Sequence, residues 1–185
     1  MARILVIGST CAGKSTLAQR LSKALDIHYI QLDAIQWLPN WVERDNESFL
    51  ELLEKEVASH QDWVVDGNYS RTHYITWAKA DAVIWLNYSY PVVLKRAFSR
   101  TFRRVWTKEK IFSDNIETFR RSFFSRDSIL IWVITGFFYR RRRYEDIRQK
   151  NQYEHLTWIE LKKPAEAEYI TRRLKDLGII QQIPQ

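Results

Sequence analysis

The chain has 185 residues, 45% of them hydrophobic and 28% charged, with a net charge of +7, which is enough for one sizeable core and too apolar for a disordered chain. Its single cysteine excludes an internal disulfide framework and a cysteine cluster for metal. The opening "MARILVIG" has no long apolar stretch with a cleavage site, and no apolar run reaches the ~20 residues of a transmembrane helix, so a cytoplasmic location is expected.

In chain order, "RILVIG" (3–8) is a nearly continuous apolar run suited to a buried parallel strand. "STLAQRLSKAL" (15–25) follows with Leu17, Leu21 and Leu25 at helical spacing. "IHYIQLD" (27–33) reads as a second strand ending at Asp33. "RDNESFLELLEKEV" (44–57) offers Asp45 or Asn46 as N-cap and puts Phe49, Leu52, Leu53 and Val57 on one helix face. "DWVVDGN" (62–68) and "DAVIWLN" (81–87) are further strands, each stopping at a polar residue, and "VVLKRAFSR" (92–100) resumes helical periodicity. "LTWIEL" (156–161) reads as a fifth strand, and "PAEAEYITRRLKDLG" (164–178) as a helix with proline in its first turn and glycine at its stop. Such alternation predicts one α/β domain with a parallel sheet and right-handed crossovers.

Between the first strand and first helix, Gly8-Ser9-Thr10-Cys11-Ala12-Gly13-Lys14-Ser15 fits G-x-x-x-x-G-K-[ST]. The glycines let backbone N–H groups point inward at a helix N-terminus, which favours a polyphosphate. Lys14 would reach the β- and γ-phosphates and Ser15 would ligate Mg²⁺, while Thr16 is expected to pack or cap. Cys11 is a small filler of the loop or, alternatively, a reactive thiol at a helix N-terminus.

Two further strands end in acids, and ligands gather at the carboxyl ends of parallel strands. Asp66 can hold a Mg²⁺-bound water, and Asp33 can orient or deprotonate an acceptor hydroxyl. The alternative for each is a loop aspartate that caps a turn, as Asp66-Gly67 would.

The P-loop, "LDAIQWLPNW", "WVVDGNYSR", "DAVIWLNYSYPVVLKRAFSR" and an arginine-rich insertion together resemble the adenylate-kinase-like small P-loop kinases, and more closely their bacterial branch labelled topology-modulation-like or adenylate-kinase-related proteins. The resemblance spans nearly the whole chain. It implies a P-loop NTPase fold with a five-stranded parallel sheet flanked by helices, a basic helical lid over about 101–150, and transfer of the ATP γ-phosphate to a small acceptor. Arg96 and Arg100 resemble the arginines that clamp phosphates, and Arg140 to Arg143 resemble the returning arm of a lid. Gln36 stands where adenylate kinases carry an acceptor-side arginine, and Asp66-Gly67-Asn68-Tyr69-Ser70-Arg71 stands where they carry D-G-x-P-R. Shikimate kinases carry D-x-D after strand two, and here only Asp33 stands. Asp33, Trp37, Gly67, Asn68, Tyr69 and Arg71 are therefore the expected acceptor contacts; Trp37 or Trp41 supplies a flat surface for a ring or packs beneath the loop, the commoner place for a Trp.

Charge is uneven. Residues 95–150 hold 16 Lys or Arg against 6 Asp or Glu, a net of +10, leaving −3 for the remainder. In a lid this field gathers polyphosphate. The alternative is a nucleotide-dependent nucleic-acid-binding protein or ATPase that uses this segment and its interleaved aromatics on a phosphate backbone. The run "ILIWVITGFFY" (129–139) is expected to pack the lid against the core as one helix or two short ones, or to form a homodimer surface or a membrane-surface contact. The four histidines show no ligand spacing in sequence. The expected activity is that of a kinase using ATP or another nucleoside triphosphate with Mg²⁺, with Lys14, Asp33, Asp66, Arg96, Arg100 and Arg140 as catalytic groups.

Overall fold

A computed structural model describes residues 1–67, 69–107, 110–116 and 129–177. Strands β1 (Arg3–Gly8), β2 (His28–Gln31), β3 (Trp63–Asp66) and β4 (Ala82–Leu86) form one sheet with β7 (Thr157–Leu161), in the order β2-β3-β1-β4-β7, and every pairing is parallel. Strands β5 (Lys110–Ile111) and β6 (Asn115–Ile116) make a separate antiparallel hairpin. The helices are α1 (Lys14–Leu25), α2 (Leu32–Gln36), α3 (Asn46–Ser59), α4 (His73–Thr76), α5 (Tyr90–Thr107), α6 (Ile129–Gln149) and α7 (Pro164–Leu177).

The apolar strands are buried on both faces, which is why they read as continuous runs rather than alternating ones. Along β1, Ile4 and Val6 face a layer built by Leu17, Ala18 and Leu21 of α1 and Val93 and Ala97 of α5. Leu5 and Ile7 face the opposite layer, with Phe49, Leu53 and Val57 of α3 and Ile75 of α4. Burying each of the three α3 side chains contributes about 1.5–3 kcal/mol. The cap of α3 is Asp45, whose side chain accepts from the Ser48 N–H at 2.9 Å. At α7 the bond runs the other way: Glu166, inside the first turn, reaches back to accept from the Lys162 and Lys163 N–H groups that precede the helix, at 2.6 and 3.1 Å.

Two features differ from the sequence reading, and a third selects one of its alternatives. β2 stops at Gln31, so Asp33 lies in the first turn of α2 and not at a strand end; Leu32 and Gln36 both turn inward four residues apart, and helix satisfies both. Helix α5 begins earlier and runs further than 92–100. The 129–139 run is the first half of the single helix α6, whose Val133 and Phe137 pack on one layer of the sheet while Tyr144 and Ile147 pack on the other. No helix among the described residues is long and apolar enough to cross a membrane.

Candidate active site

Gly8 closes β1 at φ +149°, and a Cβ there would lie 2.9 Å from the Leu86 carbonyl oxygen of β4, so the loop leaves the sheet only with glycine. Gly13 caps α1 at φ +103°, where a Cβ would meet the Arg96 guanidinium at 2.9 Å. Within the turn the Ala12 N–H donates to Ser9 O at 3.2 Å, and Lys14 Nζ donates to the same carbonyl at 3.2 Å. Arg96 donates to Ala12 O at 2.8 Å and lies 5.3 Å from the Tyr88 ring centre, so α5 braces the loop from outside. Ser9, Cys11 and Ala12 are buried and Thr10, Gly13, Lys14 and Ser15 half-buried. Thr16 is exposed on the first turn of α1. Cys11 is 8% exposed with φ +66°, the placement of a small filler.

Asp66 ends β3 beside Val6 of β1 and Gln31 of β2, at the carboxyl edge of the sheet. It is 4% exposed. Burial raises its carboxyl above the usual carboxylate range; Lys14 and Ser15 pull it back, the Asp33 carboxylate adds to the rise, and Tyr29 opposes it. The Tyr29 hydroxyl donates to Asp66 Oδ2 at 3.3 Å. Oδ1 is buried with no hydrogen-bond partner among the described residues. A buried, unpartnered carboxylate oxygen on a residue that interacts with the P-loop Ser15 suits a cation, so Ser15 and Asp66 fit as Mg²⁺ holders.

On the acceptor side, Tyr69 donates to Asp33 Oδ1 at 2.6 Å, and burial followed by the Asp33 charge pushes the phenol upward so that it stays a donor. Arg71 donates to the Gln36 side-chain oxygen and lies 4.5 Å from the Phe49 ring centre and 5.3 Å from that of Tyr69. Gln36 is 1% exposed and also donates to Glu43 Oε2 and Arg44 O, both at 3.4 Å. Trp37 and Trp41 meet edge to face with centroids 5.7 Å apart. Gly67 abuts Leu32, and Asn68 lies outside the described residues.

The β5–β6 hairpin seats on this turn. Asn115 Oδ1 accepts from the Trp41 N–H at 2.8 Å, its amide donates to Leu38 O at 2.9 Å and Phe112 O at 2.6 Å, and the Ser113 hydroxyl donates to Trp37 O at 2.6 Å. Arg140 stands close enough to Cys11 for the two to interact electrostatically, and burial lowers its guanidinium. Arg100 sits one turn of α5 beyond Arg96, with Nε and Nη2 buried and lacking a hydrogen-bond partner among the described residues; those orphan donors and the orphan Ser9 hydroxyl fit an anionic ligand.

One edge of the sheet thus gathers Lys14, Ser15, Asp66, Asp33 and Tyr69, with Arg96 and Arg140 at the loop. Three contributors were not expected from the sequence: Tyr29, Gln36 in its pairing with Arg71, and Asn115. Gln36 stood in a quoted motif and Tyr29 in the strand before Asp33, but neither pairing was visible there, and Asn115 left no trace.

The strand order, the parallel pairing and the loop from Gly8 to Ser15 define a P-loop NTPase fold. The chain belongs to the PduV-EutP family, described as "Ethanolamine utilisation - propanediol utilisation", whose model matches residues 1–112. Among solved structures the chain is similar to a shikimate kinase from Acinetobacter baumannii in complex with shikimate, at 14% identity and a TM-score of 0.53, over 100% of this chain and 96% of that one. At that identity the likeness is one of fold. No curated protein sequence matches the chain.

Proposed function

We propose that the protein is a Mg²⁺-dependent phosphotransferase of the adenylate-kinase-like class, moving the γ-phosphate of ATP or another nucleoside triphosphate to a small acceptor, either nucleotide-like or a hydroxyl compound. The observation that carries this reading is the oriented second carboxylate: Asp33, held by Tyr69, faces the same edge as Asp66 and Lys14. A nucleotide-binding switch or scaffold has no need of it. Lys14 and the loop amides hold phosphate, Ser15 and Asp66 hold the metal, and Arg96, Arg100 and Arg140 supply positive charge. Bound Mg²⁺ would neutralise developing charge on the phosphates. Asp33 accepts the acceptor's hydroxyl proton, and Trp37, Gly67, Tyr69 and Arg71 line its pocket, with Asn68 proposed from the sequence as a further acceptor contact. Residues of about 101–150 act as the lid: the seating of Asn115 on the Trp37–Trp41 turn supports closure over that pocket, which excludes water from the reaction.

A second reading has one observation in its favour. Phe102 and Trp106 are 62% and 80% exposed and stacked with centroids 6.1 Å apart, beside Arg103 and Arg104, which suits a single-stranded nucleic acid. The deciding experiment measures ADP release from ATP and Mg²⁺ across nucleoside monophosphates, nucleosides, sugars, shikimate, ethanolamine, propanediol, and single- and double-stranded DNA. Lys14→Ala is the control. Stimulation by one small molecule, lost in the control, supports the kinase and names its acceptor. Stimulation by DNA alone, fading as salt rises, overturns it.

A further inference from the structure

We infer a transition-metal site at the far end of the sheet, formed by His28, Glu56 and His60. His28 opens the edge strand β2, at the end opposite the P-loop, while Glu56 and His60 lie one turn apart at the close of α3. One ligand atom from each residue lies within 4.8 Å of the others, and among the described residues this is the one group of three with that property. His28 Nε2 and Glu56 Oε2 are 2.7 Å apart, at side-chain exposures of 34% and 44%. The two imidazoles stack with centroids 3.5 Å apart and planes within 3°.

The protonation pattern suits a ligand set. His60 Nδ1 lies 3.0 Å from the Glu56 carbonyl oxygen, which can only accept, so Nδ1 carries the proton and Nε2 of the neutral ring offers its lone pair. A backbone carbonyl fixing the tautomer in this way is the usual second partner of a metal-bound imidazole. The proton shared by His28 and Glu56 leaves to solvent as the cation enters, and their atoms part to roughly 3.3 Å, the spacing of tetrahedral ligands at ~2.0–2.1 Å. Because imidazole lone pairs lie in the ring plane, the parallel stack must open as the metal binds.

Two imidazoles and one carboxylate select a borderline divalent ion such as Zn²⁺ or Cu²⁺, and disfavour Mg²⁺ or Ca²⁺. Three protein ligands leave the fourth position to solvent. Bound there, the ion ties the edge strand β2 to the end of α3, and so fixes the strand that leads into Tyr29 and Asp33. This inference does not depend on the kinase reading.

The test is calorimetric titration of Zn²⁺ into the tag-free, nucleotide-free full chain, with His28→Asn and His60→Gln variants checked by circular dichroism. One site per chain is expected, weakened by roughly tenfold or more in each variant. A thermal shift of roughly 5–10 °C is expected at a hundredfold excess over Kd. The Cu²⁺ form should show coupling to two nitrogens in its electron paramagnetic resonance spectrum. Absence of saturable binding, binding equal in both folded variants, or a Cu²⁺ spectrum without nitrogen coupling would overturn the site. The spectrum uses the unmutated chain, so it decides between these outcomes even where a variant does not fold.

Discussion

Tyr69 and Asp33 are joined by a 2.6 Å hydrogen bond from phenol to carboxylate across 36 residues of chain. The bond holds one oxygen of Asp33 and leaves the other for an acceptor. In the proposed reaction Asp33 acts as a base, for which removal costs roughly 10²–10⁴ in kcat. Tyr69, which also lines the acceptor pocket, acts on the proton transfer by positioning Asp33. Tyr69→Phe should therefore cost about tenfold and Asp33→Asn more, with the double variant no worse than Asp33→Asn alone. Steady-state rates with the stimulating acceptor decide this; additive losses would separate the two residues.

Asp66 should trade stability for function. Its carboxyl is raised in the folded state, so between the ordinary carboxylate value and the folded value the native chain holds more protons than the unfolded one, and stability falls as pH rises through that window. Asp66→Asn removes this loss. The variant should melt higher than the natural chain near pH 7, by about 2–4 °C for each kcal/mol relieved, with the gap closing toward pH 4. Mg²⁺-dependent turnover should vanish. Paired melting curves over that range check the sign, and a variant that melts lower at pH 7 would show Asp66 to be a structural anchor.

Asn115 is 4% exposed with both ends of its amide engaged, and two of its three bonds reach across to the turn at Leu38 and Trp41. Asn115→Ala leaves the Trp41 N–H and the Leu38 carbonyl short of a partner, a cost of about 1–3 kcal/mol borne by hairpin seating and not by the sheet. Hydrogen exchange at the Trp41 amide should quicken roughly tenfold or more with little change in global melting. In the proposed kinase, ADP release without acceptor should rise relative to transfer, because the pocket admits water.

The fold was legible where chemistry or burial concentrates in contiguous residues. The P-loop needs Gly8, Gly13, Lys14 and Ser15 in one run, and strands buried on two faces are apolar at every position. Asp33 was placed at a strand end because β2 and α2 share one apolar pattern, and only the inward turn of Leu32 and Gln36 separates them. The 129–139 run carries no visible single-face stripe because, although Val133 and Phe137 face one layer, the exposed positions Ile131, Ile134 and Phe138 are apolar too. Long-range pairs leave no local mark: Tyr29 meets Asp66 across 37 residues, and Asn115 meets Trp41 across 74. The same holds for His28 and His60, which look scattered in sequence yet stack in space.

His73 supplies a pH dependence apart from the proposed reaction. Its ring lies 4.6 Å from that of Trp77 and 6.4 Å from that of Tyr153, and burial with the nearby Arg143 charge lowers it from 6.5 to about 4. The unfolded chain takes up this proton near pH 6.5, whereas the folded chain resists until about pH 4. The stability His73 contributes is therefore complete above pH 6.5 and is lost as pH falls toward 4. His73→Phe keeps an aromatic ring against Trp77 and Tyr153 and removes the titration. Its level at neutral pH can move either way, since the imidazole's polar contacts go with the ring. The slope is the diagnostic quantity: the variant should lose less stability than the natural chain between pH 6.5 and 4, in denaturant unfolding at matched ionic strength. Equal slopes would mean that the ring opens to solvent and takes up its proton without unfolding the rest.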